Sequence, residues 1–338
     1  MQLKEQALQA KGKWVEVKSK VNTTRDSEQK KIVDKSNKDK NFTVGEEWLK
    51  HGIEWQSNSS LSDPDFIFAF KYLKFPELKK YLFHSANVKM GQWIGEFLEP
   101  LYFGKIDLSG VMVFIRDMAK RYEPNEFDDA DDEKMEKFLN YVEKYLSEML
   151  YHCRQLAGDN KVVFEHPINL YLHDINVPIT GWLDVAIFDK DDDTKLIDWI
   201  ENKTSYPKPK GFYKINTGNN NVGDRRWENM SVPINPSKYY ESQMAIYYKA
   251  TNILGHQIHC TPNGTVFFRP QEHETLQREY LESVLQEIHT KLKVRQNLLR
   301  LANDADTFMR LCQPDFKSNK LKGWNPEYKQ LLRGVYDY

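Results

Sequence analysis

The sequence predicts a sheet flanked by helices, of the α/β or α+β class. Between residues 43 and 104, aromatic and apolar residues recur at helical spacing. Between 161 and 204, short β-branched and aromatic runs are separated by polar turns, which is the pattern of an antiparallel meander. After residue 236 a helical pattern, a strand and a long charged helix follow. This order of helices, meander, helix, strand and helices is typical of a sheet that helices cover.

Length and composition allow a large buried core. The chain has 338 residues, of which 40% are hydrophobic, enough for one large domain or a core with helical additions. No apolar run approaches the roughly 20 residues that span a bilayer. The Lys-rich start has no signal-peptide pattern, so we expect a cytoplasmic protein without membrane partners. The formal net charge is −1, so any attraction for nucleic acid has to come from local clusters of charge.

The three cysteines exclude several kinds of site. Cys153, Cys260 and Cys312 lie far apart and form no Cys-x-x-Cys pair. This spacing argues against a disulfide framework, a structural zinc site and a four-cysteine iron–sulfur cluster. We expect reduced, packed thiols.

Helical patterns fill the first half of the chain. Residues 1–40 are polar and Lys-rich, and we interpret them as a mobile charged arm that precedes a single domain over 41–338. In the aromatic stretch that follows, Pro76 opens one helix and Gly104 closes another. A long amphipathic helix over 126–156 begins with a run of acids, which suit the N-terminal end of the helix dipole and which we expect to be solvated.

The second half predicts strands, a loop and two more helices. The expected strands are the four runs KVVFEH, INLYLH, ITGWLDVAIFD and TKLIDWIENKT. Residues 205–236 are rich in Gly, Pro and Asn and predict a long loop. We expect a helix over 237–254, a strand over 264–270 and a long charged helix over 272–305.

Ionisable residues stand inside two of the predicted strands, Asp184 in one apolar run and Glu201 and Lys203 in the next. Burying such groups is costly unless they are paired or hold a metal. Side chains alternate along a strand, so Glu201 and Lys203 share one face, and pairing with the other strand would add the carboxylate of Asp184. Such a set suits a hard cation such as Mg²⁺, to which the backbone carbonyl of Asn202 adds an oxygen. The alternative is a cross-strand salt bridge between Asp184 and Lys203, with Glu201 at an exposed edge.

Together with their neighbours, these positions resemble the PD-(D/E)xK nuclease superfamily, in its RecB-like and phage-type exonuclease branch. The family pattern is a Gly-x-x-Asp strand followed by an apolar strand that ends in Asp/Glu-x-Lys-Thr. This chain has Gly181-Trp182-Leu183-Asp184 and then Glu201-Asn202-Lys203-Thr204. A Gln-x-x-x-Tyr helix follows in that branch, and Gln243 and Tyr247 have this spacing. The resemblance covers about residues 85–250.

The resemblance implies a restriction-endonuclease-like core of the α/β class, in which a central mixed β-sheet is flanked by helices. The core would cover about residues 85–270, with extra N-terminal helices and a helical C-terminal extension over 271–338. The implied activity is Mg²⁺- or Mn²⁺-dependent hydrolysis of DNA phosphodiester bonds, by an exonuclease of DNA processing or recombination such as phages encode. A recombination partner protein is compatible with this role.

The resemblance also implies roles for individual residues. Asp184 and Glu201 would hold the metal together with the carbonyl of Asn202. Lys203 would position or activate the attacking water. Gln243 and Tyr247 would shape the substrate end.

The resemblance does not identify one of the metal ligands. Family members carry a Gly-x-x-x-His helix followed by Leu-Glu, whereas this chain has Gly91, Gly95 at the His position, and then Leu98-Glu99. Glu96 or Glu99 could replace the missing His, and Glu165 matches a Glu that often precedes the Gly-x-x-Asp strand. The iron–sulfur version of the branch is excluded, because its cysteine cluster is absent from the sequence.

Basic residues interleaved with aromatics follow the predicted catalytic lysine. The basic residues of this loop are Lys208, Lys210, Lys214, Arg225 and Arg226. Such a loop can neutralise phosphates and stack on unpaired bases. We expect end-dependent contact with DNA and little sequence specificity, since the sequence has no base-reading module. A solvated flexible loop is the alternative.

Three other functions stay open. A non-cleaving DNA-binding protein on the same fold is favoured by Gly95 at the His position. A same-fold endonuclease would cut closed circular DNA. A structural interaction protein could be built on the long helices 126–156 and 272–305.

Overall fold

A computed structural model describes residues 27–76, 85–124, 130–214, 222–318, 321 and 326–336. The helices are α1 (27–39), α2 (Glu46–Leu49), α3 (Asn58–Leu61), α4 (Asp65–Phe68, continued by a π-helix over Ala69–Lys74), α5 (Ala86–Tyr102), α6 (Leu108–Ala119), α7 (Asp131–Ala157), α8 (Glu241–Thr251), α9 (Arg278–Leu301), α10 (Ala305–Leu311) and α11 (Pro326–Tyr336). The strands are β1 (Gln56–Ser57), β2 (Lys161–Leu170), β3 (Ile179–Phe188), β4 (Leu196–Thr204), β5 (Lys208–Lys214), β6 (Val222–Glu228), β7 (His256–Thr261) and β8 (Gly264–Phe268).

The main sheet is mixed and has six strands. β2, β3 and β4 form the expected antiparallel meander. The chain then crosses through α8 and returns as β7, which is parallel to β4 and antiparallel to β8. β2 pairs with β3 along its whole length, so β1, which is parallel to the start of β3, shares the other edge of β3 with β4. The structure is therefore an α/β protein with a mixed central sheet flanked by helices.

Helices cover both faces of this sheet. On one face, α5, α6 and α7 pack against Val185, Ile200 and Ile258. On the other face, α8, α9 and α10 pack against Trp199 and Phe268. Side chains that alternate along β4 therefore enter two different cores, which explains why this strand is apolar at nearly every position before Glu201.

The long helix α9 is part of the core and holds the first helices of the chain. Arg295 is fully buried, and its guanidinium donates to Oδ1 of Asp65 at 2.7 Å, to Oε1 of Gln56 at 3.1 Å and to the carbonyl of Asp63 at 2.9 Å. The next residue, Gln296, accepts from the indole of Trp48 at 3.0 Å. The region expected as a C-terminal extension thus packs against residues 48–65.

Two acidic or polar stretches differ from the expected solvated segments. Residues 27–39 of the expected mobile arm form α1 with Val33 buried, whereas 1–26 lie outside the described residues. In the acidic run, Asp131 is fully buried and accepts from the backbone N–H of Ala86 at 2.9 Å and from the hydroxyl of Tyr122. This carboxylate joins the start of α7 to the start of α5, so its role is structural.

The strand pattern also differs from the expected one. KVVFEH and INLYLH form one strand, β2, which tolerates Pro167 because a strand with a single neighbour need not donate on its free side. The expected loop 205–236 contains an antiparallel hairpin of β5 and β6. The strand β7, HQIHCT, was not predicted.

No described helix combines the length and the apolar composition that crossing a bilayer requires.

Candidate functional site

Three of the predicted site residues, Glu201, Lys203 and Gln243, meet at the end of β4, beneath the first turns of α8. The Nζ of Lys203 donates to Oε1 of Glu201, and to Oε1 of Gln243 at 3.0 Å. The Nε2 of Gln243 donates to the same Glu201 oxygen at 2.5 Å. Glu201 is only 1% exposed and Lys203 pairs with it on its own strand, so the alternative with Glu201 at an exposed edge is wrong.

Tyr247 anchors this cluster to β3. Its hydroxyl accepts from Nε2 of Gln243 at 2.9 Å and donates to the carbonyl of Trp182 at 2.8 Å. The ring reaches this carbonyl because Gly181 has no side chain: a Cβ there would lie 2.6 Å from Cε1 of Tyr247. The Gly-x-x-Asp and Gln-x-x-x-Tyr segments are thus in direct contact.

Asp184 lies beside the cluster, just beyond the last ladder pair that joins β3 to β4. Its Oδ2 accepts from the backbone N–H of Asn202 at 2.7 Å. This hydrogen bond holds the Asp184 carboxylate against the backbone segment that also carries the carbonyl of Asn202 and the side chain of Glu201. Two carboxylates therefore lie on neighbouring strands with one ammonium between Glu201 and α8.

Burial and mutual repulsion set the electrostatics of the site. Burial, reinforced by the negative charge of Asp184, raises the pKa of Glu201 to about 8. Burial also disfavours the charged form of Lys203, but the carboxylates of Glu201 and Asp184 outweigh it and raise the pKa of Lys203 above its ordinary value. Lys203 is accordingly a cation at neutral pH.

The oxygen atoms of this site fit a hard divalent cation. Oε2 of Glu201 is buried and has no hydrogen-bond partner among the described residues. With the carboxylate of Asp184 and the carbonyl of Asn202, the protein offers oxygen ligands only, which is the preference of Mg²⁺ and Mn²⁺. In the described part of the chain, no three or more His, Cys, Asp or Glu side chains gather as a metal-binding group. A cation held here would therefore keep several water ligands.

Glu165 occupies an irregular position opposite Asp184. Phe164 pairs with Val185 and His166 pairs with Leu183, so Glu165 is the residue of β2 that faces Asp184 across the ladder. Its φ is +49°, in the left-handed region that L residues rarely adopt. Its side chain is exposed. Of the three further carboxylates proposed as ligands, Glu165 is thus the one whose backbone position adjoins Asp184.

The other two carboxylates lie on α5. Glu99 forms a surface ion pair with Lys105 at 3.3 Å, and Glu96 is half-buried on the same helix. The helix runs beside the end of β4, because a Cβ on Gly91 would lie 3.9 Å from Oγ1 of Thr204. A Cβ on Gly95 would meet no atom within 4 Å, so the position where the family has His borders open space.

The basic hairpin presents only part of its charge to solvent. Lys208, Lys210 and Arg226 are exposed, and Lys210 pairs with Glu228 at 2.8 Å. The side chain of Arg225 is 8% exposed and its Nε donates to Glu133 at 3.1 Å. The side chain of Lys214 lies outside the described residues.

Four residues of the site were not predicted from the sequence. The ring of Tyr240 lies over Nζ of Lys203, 4.3 Å from its centroid. Gln257 and His259 stand on β7 in register with Glu201 and Lys203. Oγ of Ser205 contacts Nε2 of His259 at 2.8 Å. Polar residues at alternate positions in HQIHCT were the available signal for Gln257 and His259.

Comparisons with known proteins do not assign this protein to a functional class. The chain matches no protein-family model and no curated protein. Among solved structures it is similar to one titled "Crystal structure of SSO0001", with 14% identity, 53% of this chain and 83% of that chain covered, and a TM-score of 0.24. A similarity of that size supports no conclusion about function. What the fold and the site define is an α/β protein with a buried carboxylate and lysine cluster at one end of its mixed sheet.

Proposed function

We propose that the chain is a Mg²⁺- or Mn²⁺-dependent deoxyribonuclease with a restriction-endonuclease-like core, and that it acts as an exonuclease. The observation that carries this proposal is the buried cluster of Glu201, Lys203 and Gln243 beside Asp184. One Glu201 oxygen in it has no partner among the described residues. A buried carboxylate that is costly to ionise, that retains an unpartnered oxygen and that lies beside a second carboxylate is suited to a divalent cation.

Each side chain has a distinct part in phosphodiester hydrolysis. A cation bound by Asp184 and Glu201 would neutralise charge on the phosphate and lower the pKa of a bound water. Lys203 would supply a positive charge and N–H donors to the attacking water and the phosphate oxygens. Gln243 fixes both Lys203 and Glu201, so that neither group has to reorient during the reaction. Tyr247 holds Gln243 against the backbone of β3.

The hairpin of β5 and β6 supports DNA as the substrate. It begins at Lys208, four positions after the end of β4, and carries exposed basic side chains. Lys208, Lys210 and Arg226 would neutralise backbone phosphates without reading bases. Arg225 has a structural partner in Glu133, so we expect a smaller contribution to DNA binding from this residue.

A degradation assay tests the proposal. End-labelled linear DNA and closed circular DNA are incubated with Mg²⁺, Mn²⁺ or a chelator, beside Lys203→Ala and Lys195→Ala variants. Lys195 pairs with Asp189 at the exposed turn before β4 and serves as the matched control. We expect metal-dependent loss of the linear DNA with wild type and Lys195→Ala, and at least about 100-fold slower loss with Lys203→Ala.

The same assay separates the alternatives. Cutting of closed circles would indicate an endonuclease on this fold. The open space at Gly95 favours a non-cleaving DNA-binding protein as the second candidate. That function predicts binding of labelled DNA without degradation at any metal concentration, which would contradict our proposal.

A further inference from the structure

Two buried side chains of β7 adjoin the candidate site. β7 is parallel to β4, with Gln257 in register with Glu201 and His259 in register with Lys203. Residues paired on neighbouring strands place their side chains on the same face of a sheet. Gln257 and His259 therefore continue the face that carries the carboxylate and the ammonium.

These two side chains are buried with part of their hydrogen-bonding capacity unused. Gln257 is fully buried, and neither atom of its carboxamide has a partner in the described part of the chain. His259 is 8% exposed; its Nε2 contacts Ser205, while its Nδ1 has no partner there. Oε2 of Glu201 is also buried and has no hydrogen-bond partner among the described residues. Unpaired buried polar groups are costly and uncommon, so three side chains of this kind at adjacent positions indicate a polar ligand.

We propose that Gln257 and His259 are positioning residues that hold the water ligands of a cation bound by Glu201 and Asp184. This inference rests on the proposed function. A cation with two carboxylates and one carbonyl keeps several waters, each of which needs hydrogen-bond partners. The carboxamide of Gln257 offers a donor and an acceptor beside Glu201, and Nδ1 of His259 offers a further group beside Lys203.

Cation binding without DNA tests the inference. Mn²⁺ and Mg²⁺ are titrated calorimetrically into wild type, Gln257→Leu and His259→Gln, and the unfolding temperature of each protein is measured in chelator. Leucine removes the carboxamide of Gln257 and keeps an apolar side chain of comparable volume. Glutamine can keep a polar atom near the Nε2 position of His259 while removing Nδ1. We expect about 10-fold or more weaker cation binding in both variants. In chelator, Gln257→Leu should unfold at the same temperature as wild type or higher, because it removes an unpaired buried amide.

His256 provides the matched control on the same strand. It belongs to the opposite face of the sheet, where its ring stacks on Phe267 at 5.0 Å and its Nε2 contacts Asp198 at 3.1 Å. His256→Gln should lower the unfolding temperature in chelator and leave the cation affinity unchanged.

Each outcome decides the inference. Unchanged cation affinity in Gln257→Leu and His259→Gln, with wild type binding normally, overturns it and leaves the proposed metal site intact. A loss in only one variant assigns the role to that residue and overturns it for the other. If wild type binds neither cation, the proposed metal site and this inference both fail.

Discussion

At the scale of single residues, Glu165 is the clearest sign of strain beside the site. An L residue with φ of +49° within a strand costs roughly 1–2 kcal/mol relative to its ordinary conformations. Glycine adopts this region without such a cost. The chain nevertheless has a carboxylate here, at the point of β2 that faces Asp184. Strained residues concentrate at functional sites, so Glu165 is our first choice for an additional ligand of the proposed cation.

Replacing Glu165 by glycine should therefore separate stability from binding. Glu165→Gly is expected to raise the free energy of unfolding by about 1 kcal/mol in chelator, because the strain is released. It should also weaken Mn²⁺ binding. Urea unfolding and calorimetric titration measure the two effects. Asn252→Gly is the control, since Asn252 has a φ of +59° at the end of α8, where a change should leave cation affinity unaltered. Loss of stability in Glu165→Gly would show that the glutamate has a structural role instead.

The raised pKa of Glu201 predicts a pH dependence of stability in the cation-free protein. A carboxyl whose pKa is about 8 in the folded state and about 4.5 in the unfolded state stabilises the fold at low pH, and this contribution is lost as pH rises through 8. Between pH 6 and pH 9 in chelator, the unfolding free energy of wild type should fall by on the order of 2 kcal/mol more than that of Glu201→Gln. Urea denaturation at both pH values measures this difference, and parallel behaviour of the two proteins would contradict it.

At the scale of elements, the site depends on close contact between α8 and the sheet. Gly181 admits the ring of Tyr247, and a Cβ on Gly255 would lie 2.2 Å from Cε2 of Trp199. Both glycines therefore set the distance at which α8 and its following turn lie on β3 and β4. Since Tyr247 in turn holds Gln243, the geometry around Lys203 depends on this distance.

Two glycine-to-alanine substitutions should have opposite effects. Gly181→Ala forces the Tyr247 ring away from the carbonyl of Trp182. We therefore expect the free energy of unfolding to fall by about 1–3 kcal/mol. We also expect DNA degradation to be lost. Gly95 lies inside α5, and a Cβ added there would meet open space. Gly95→Ala should therefore raise the free energy of unfolding by about 0.5–1 kcal/mol. Thermal unfolding and the degradation assay check both. Retained activity in Gly181→Ala would show that the position of Tyr247 is not required.

The sequence predicts those elements that a local residue pattern specifies, and it misses those that depend on distant neighbours. Alternation along β4 predicts that Glu201 and Lys203 share a face, and helical spacing predicts that Gln243 and Tyr247 do. The hairpin of β5 and β6 was missed because Gly, Pro and Asn suggest a loop whether or not two strands pair. The short strand β7 was missed because Ile258 and Cys260 are the only apolar residues in HQIHCT, and an alternation this short does not by itself indicate a buried strand.

At the scale of the whole molecule, α9 joins parts of the chain that no local pattern connects. The burial of Arg295 and its bonds to Asp65 and Gln56 depend on residues more than 200 positions away. A charged helix gives no indication that one of its arginines is at the centre of a core, since amphipathic helices usually expose their charges. The sequence therefore predicted α9 as a helix but not its place in the fold.

Removing this arginine should destabilise the entire protein. Arg295→Met leaves the carboxylate of Asp65 and the carbonyl of Asp63 without their donor, which we expect to cost about 3–5 kcal/mol. The control is Arg300→Met on the same helix. Arg300 is 48% exposed and pairs with Glu47 at 3.1 Å, so its loss should cost about 1 kcal/mol or less. Urea unfolding distinguishes the two variants, and equal stability would contradict the central role of Arg295.

The long-range contacts of Arg295 also affect how the chain folds during its synthesis. Gln56, Asp63 and Asp65 leave the ribosome 230 or more residues before their common partner on α9. At 5–20 residues per second, this interval is roughly 10–50 s. For that time Trp48, Phe66 and Phe70, all buried in the finished protein, have no α9 to pack against. Nascent chains should therefore bind holdase chaperones through this early segment, and be released only after α9 has emerged.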